Sequence, residues 1–73
     1  MNLDQTKASF RGRVRRIAGD AHLVSRLTSI GITENVPFQT VRNTRRMPVL
    51  IYLRETLIAL GREDAKKIEV EEA

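Results

Sequence analysis

The stretch PVLIYLRETLIALGREDAKKIEV, residues 48–70, constrains this chain more than any other. Val49, Ile51 and Leu53 alternate with Leu50, Tyr52 and Arg54, the period-two pattern of a strand with one buried face. Arg54-Glu55 interrupts, and Thr56–Leu60 resumes as a second strand at hairpin distance. Residues 61–65 are too short and polar for a full helix and read as one 3₁₀ turn, about 62–65. Ile68 and Val70 then alternate with Lys67, Glu69 and Glu71 as a closing strand. Hairpin, turn and strand in this order predict a small, mainly β barrel.

The remainder of the chain fits that frame. Residues 1–9 are polar except for Leu3, Ala8 and the initial Met1, and are expected to lie loosely against the barrel. In FRGRVRRI, residues 10–17, Phe10, Gly12 and Val14 share one strand face and Arg11, Arg13 and Arg15 the other. Ile17 joins the core only if a bulge near Arg15-Arg16 breaks the alternation, a device barrels use to turn corners. One helix is expected over about 21–30. Asp20 suits its N-cap, Leu23, Leu27 and Ile30 form its apolar stripe, and Gly31 fits the left-handed position past its end. Ile32 then folds back onto Leu27. Asn35 supplies a positive-φ turn, and Val36, Phe38 and Thr40 face the core from a strand over 36–42. Pro37 donates no ladder hydrogen bond, so it belongs at an edge or at the strand's start. Residues 43–47 form a basic loop.

With 73 residues, this is a single domain, 1–73, with its core over about 10–70. A chain this short buries only ~60% of its unfolded surface, so stability rests on a few core positions. It has no cysteine, which removes disulfides, thiolate metal sites and thiol redox chemistry. No apolar run reaches the ~20 residues of a membrane span, and the polar start is unlike a signal peptide. A soluble intracellular protein is expected. The net charge of +4 directs attention to acidic partners or surfaces.

Taken together, these residues resemble the FeoA family of small ferrous-iron-transport accessory proteins. The same SH3-like fold forms the C-terminal domain of diphtheria-toxin-repressor-type metalloregulators. The resemblance rests on Gly12-x-Val14-x-x-Ile17, on Leu23 with Arg26-Leu27-x-x-Ile30-Gly31-Ile32, and on Pro48-Val49-x-Ile51. It continues through Ile58-Ala59-Leu60 and ends in Ala65-x-x-Ile68-x-Val70. Glu34-Asn35 stands where the family has Pro-Gly, and Glu55 where it often has Gly. The resemblance implies an SH3-like five-stranded barrel with one inserted helix. It implies a role in ferrous iron uptake in the bacterial cytoplasm, at the inner face of the membrane, with the GTPase-containing part of a FeoB-type permease as partner. It transfers no ligand set and implies no cofactor.

Chemistry-bearing constellations are sparse. His22 is the sole histidine and reads as a helix-surface residue. Glu69 and Glu71 share a strand face and can take a divalent ion weakly, although a solvated face offset by Lys66 and Lys67 accounts for them as well; metal binding stays open. Ser9, Ser25 and Ser29 lack a nucleophile context, and no glycine-rich phosphate loop is present. An enzyme is not expected. Arg11, Arg13 and Arg15 along one strand, with Arg42, Arg45 and Arg46 in the middle, admit three readings: a solvated face, docking to a protein or membrane surface, or nucleic acid. Phe10 and Phe38 are needed in the core, which leaves Tyr52 as the lone outward ring and argues against base stacking. If Val49, Ile51, Leu53, Ile58 and Leu60 point inward, Leu50, Tyr52 and Leu57 point outward beside Met47. That face is either a contact, with a second copy or another protein, or is covered by the helix or the N-terminus.

Overall fold

The computed structural model describes residues 1–73. Five strands form: β1 Arg11–Ile17, β2 Pro37–Arg42, β3 Val49–Leu53, β4 Thr56–Leu60 and β5 Ile68–Glu72. Helix α1 spans Ala21–Ser29, and a short α2 spans Arg62–Ala65. The strands pair antiparallel in one sheet, ordered β4-β3-β2-β1-β5, with the seam of the barrel between β4 and β5. One sheet face and α1 enclose a single core of fourteen apolar residues. Val14, Phe38, Val49, Ile51, Leu53, Leu60, Ile68 and Val70 enter it from the strands by the alternation expected of them.

Two bulges shape the sheet. The β1–β5 register shifts between Val14 and Arg16, so Arg15 is the extra residue and Ile17 turns back toward the core, opposite Ile68. The β2–β3 register shifts between Thr40 and Arg42, which leaves Val41 exposed. Gly12 permits the close approach of β5. A Cβ there would overlap the Glu71 carbonyl oxygen and the Phe10 ring. The Phe10 and Phe38 rings meet at 6.0 Å between centroids.

The helix follows its local signals. Asp20 Oδ1 accepts the Leu23 N–H at 2.9 Å, satisfying one of the free donors of the first turn. At the other end, Ile32 N–H donates to Leu27 O and Gly31 N–H to Thr28 O, both at 3.0 Å, with Gly31 at φ +101°. These are the paired bonds of a Schellman motif, and they fold Ile32 into the core. Asn35 adopts φ +68° in the following turn.

Several expectations change. The N-terminus is not loose: Leu3–Gln5 forms a 3₁₀ turn, Leu3 is in the core, and Thr6 Oγ1 meets Thr40 Oγ1 at 2.7 Å in a buried contact. The turn at 62–65 is α-helical, because Ala65 and Lys66 N–H reach back four residues to Gly61 and Arg62. Helix α1 ends at Ser29, and Ile30, expected in the apolar stripe, is exposed as the C-cap while Leu23 and Leu27 alone reach the core. β2 begins at Pro37, whose missing N–H is tolerated at the strand's first position.

The hairpin turn is costly in backbone terms. Arg54 and Glu55 both take positive φ, at +50° and +64°, the type I′ requirement that Asn-Gly meets without a Cβ penalty. Replacing them together, Arg54→Asn with Glu55→Gly, is expected to stabilise the fold by about 1 kcal/mol, a rise in Tm of about 4–8 °C. Gly12→Ala should cost about 1–3 kcal/mol, because the Glu71 backbone must move to admit the methyl group. Chemical denaturation of the two variants checks both values.

Candidate docking surface

Strand parity assigns the outward side chains of the hairpin. Tyr52 lies opposite Leu57 and Leu50 opposite Ala59 across β3 and β4. Neither α1 nor the N-terminus covers them. Leu57 is 59% exposed and Tyr52 44%, and Leu50 is half-buried. Met47, at the end of the preceding loop, is 45% exposed, and the bulged Val41 adds a further exposed apolar side chain from β2. Four of the six large exposed hydrophobics of the chain, Val41, Met47, Tyr52 and Leu57, thus come from β2, β3, β4 and the loop between β2 and β3.

Arginines border it in register. Arg11 on β1 pairs with Gln39 on β2, Gln39 with Tyr52 on β3, and Tyr52 with Leu57 on β4, so one row across four strands runs from charge to hydrocarbon. Arg42 lies opposite Leu50. A shallow groove of about 310 Å³ follows the row, lined by Arg11, Pro37, Gln39, Tyr52 and Arg54. Arg11, Arg13, Arg42, Arg45, Arg46 and Arg54 make no ion pair within the chain.

The expected arginine row on β1 is divided by the bulge. Arg15 turns to Glu71 at 3.4 Å, and Arg16, not expected on that face, approaches Glu69 at 3.6 Å. Glu69 and Glu71 therefore face arginines. No three His, Asp or Glu side chains converge anywhere in the structure, and His22 is exposed on α1. Arg26 pairs with Asp64 at 3.0 Å and ties α1 to α2. Leu27, Gly31, Pro48 and Ala65 serve the fold: Leu27 and Ala65 are buried, Gly31 closes α1, and Pro48 precedes β3.

Two residues not singled out from the sequence hold the loop that positions Met47. Arg62 Nη1 donates to Asn43 Oδ1 at 2.8 Å, to Met47 O at 2.9 Å and to Thr44 O at 3.2 Å, while Nη2 reaches Asp4 O at 3.4 Å. Asn43 Nδ2 donates to Asp4 O and Thr6 O at 2.9 and 2.6 Å. Arg62 has no carboxylate partner, so charge pairing along the sequence carries no trace of this role. Arg46, at φ +65°, completes the tight loop.

A curled antiparallel sheet with a single capped helix and an exposed outer hairpin face defines a small SH3-like domain. A FeoA domain model matches residues 1–72, and the chain belongs to the FeoA family, which is associated with ferrous iron transport. Among solved structures, a crystal structure of the iron uptake regulatory protein FeoA is similar at 22% identity and TM-score 0.95, covering 100% of this chain and 97% of that one. The zinc complex of Stenotrophomonas maltophilia FeoA, described as an SH3 domain protein, is similar at 20% identity and TM-score 0.83, with 97% and 89% covered. A manganese-dependent transcriptional repressor is similar at 20% identity and TM-score 0.91; all of this chain covers 41% of that one. Among curated proteins, none matches by sequence. No helix is long and apolar enough to cross a membrane.

The loop clamp depends on a fork of donors, not on charge alone. Arg62→Lys keeps the charge but cannot span Asn43, Met47 and Asp4 together. It is expected to lower stability by about 1–3 kcal/mol, read by urea unfolding, and to speed exchange of the Met47 amide, which donates to Thr44 O.

Proposed function

We propose that this chain is a non-enzymatic accessory protein of ferrous iron uptake that acts by docking. Its partner in this reading is the cytoplasmic, GTPase-containing part of a FeoB-type permease, met at the inner face of the cytoplasmic membrane. The observation that carries the reading is the outer hairpin face, where Leu50, Tyr52, Leu57 and Met47 stand exposed or half-exposed beside arginines free of internal partners. Membership in the FeoA family supports the iron-uptake setting. The S. maltophilia relative is described as a candidate activating factor of bacterial ferrous iron transport, which agrees with an accessory role.

The physical division of labour follows from the two kinds of residue. Apolar groups supply contact area on a preformed sheet, so little ordering entropy is lost on binding. Arg11, Arg42 and Arg54 at its margin favour an acidic partner surface, raising the encounter rate more than the final affinity.

Leu57→Glu places a carboxylate in the middle of the apolar face while leaving the core untouched. It is expected to abolish capture of the FeoB-type cytoplasmic domain in a pull-down with the purified full chain. Its far-ultraviolet circular dichroism and unfolding midpoint should stay close to those of the unsubstituted protein. Unchanged capture would reject this face.

A further inference from the structure

The two edges of the sheet are finished differently. The outer edge of β5 is closed by the chain's own N-terminus: Val70 N–H donates to Met1 O at 2.8 Å, and Asn2 bridges to Glu69. The outer edge of β4 is bare. The two-residue turn makes Leu53–Thr56 the first pair to exchange both hydrogen bonds, followed by Ile51–Ile58 and Val49–Leu60. Leu57 and Ala59 therefore direct their N–H and C=O groups away from β3. No backbone bond outside the ladders and no side chain reaches either residue. Thr56–Leu60 also carries no charge, no proline and no bulge, the devices by which edge strands are protected.

We propose that β4 pairs antiparallel with β4 of a second copy of this chain, joining both sheets into one across a two-fold axis at Ile58. Hydrogen-bonding self-complementarity favours a copy as the occupant. With the axis at Ile58, Leu57 of each chain faces Ala59 of the other, so every free N–H and C=O of the edge meets its complement. Within the paired strands no like charges are opposed, because Thr56–Leu60 carries none. On the outer face, the Tyr52–Leu57 row of one chain runs on into the Ala59–Leu50 row of the other, merging two apolar patches into one band. The pairing uses the margin of the strand and is independent of the docking reading, which uses its face.

Sedimentation over a concentration series, with amide exchange read by NMR on the same samples, tests this. The full chain is expected to pass from monomer to dimer, with the Leu57 and Ala59 amides gaining protection as the dimer fills. Ala59→Pro deletes one outward N–H without touching the β3 ladder, and should leave a folded monomer at every concentration. A monomer throughout for the unsubstituted chain would overturn the proposal. So would a dimer in which those two amides stay unprotected, or one that persists undiminished in a folded Ala59→Pro variant. Should that variant fail to fold, the amide protection of the unsubstituted chain decides alone.

Discussion

A single guanidinium joins three segments that lie outside the strands: α2, the loop before β3 and the N-terminal 3₁₀ turn. Arg62 donates to the loop 43–47 and to the N-terminal 3₁₀ turn from its seat on α2, and Asn43 completes the circuit to Asp4 and Thr6. Ladders fix the strands, but nothing in a ladder dictates where a five-residue loop must lie. Charge-assisted bonds to carbonyl oxygens do so here, each stronger than a neutral bond and all shared by one planar group. This network helps hold down the segment that buries Leu3 and Thr6, together with the Met1–Val70 bond and the Thr6–Thr40 contact. Met47 reaches the edge of the apolar face through the same network.

Local signals were legible where local physics decides. Asp20 and Gly31 bracket α1 as capping chemistry requires, Asn35 takes the positive φ its side chain tolerates, and the Arg15-Arg16 bulge follows from the need to bury both Val14 and Ile17. The hairpin face was legible by parity alone, since alternation that buries Val49, Ile51 and Leu53 must expose Tyr52 and leave Leu50 on the outer side. Long-range choices were not legible. Leu3 lies in a mostly polar segment, without periodicity to mark it. Arg62 and Asn43 are nineteen positions apart and meet only in the folded chain. Ile30 satisfied the helical spacing, yet α1 stopped short of it when the Gly31 cap formed. Whether α1 would cover the hairpin face is a tertiary question of the same kind.

The bulges that close the core also arrange the outer charges. A regular β1 would have carried Arg11, Arg13 and Arg15 as one basic stripe. The extra residue at Arg15 instead turns Arg15 and Arg16 toward the acidic edge of β5, while Arg11 and Arg13 stay unpaired. Exposed ion pairs of this sort contribute little to stability, on the order of 0–1 kcal/mol each. Their larger effect is to neutralise the β5 side of the sheet, so that unpaired positive charge lies along the apolar hairpin face. A packing requirement inside the barrel thus sets the polarity of its outside.

The hairpin concentrates two distinct kinds of unmet demand in one strand. Leu57 presents an apolar side chain to the outer face, and the same residue presents unpaired backbone groups sideways at the sheet margin. These directions are perpendicular, so strand addition at the margin does not bury the face; it extends it. In the proposed dimer, the apolar band would lengthen across the two-fold axis, with arginine-bordered ends formed by Arg11 and Arg42 of each copy. A partner would then meet two equivalent half-surfaces held in fixed relation. An edge left bare beside an exposed apolar face makes sense in such an object: the margin would fix how copies are joined, and the face would determine what the joined copies touch.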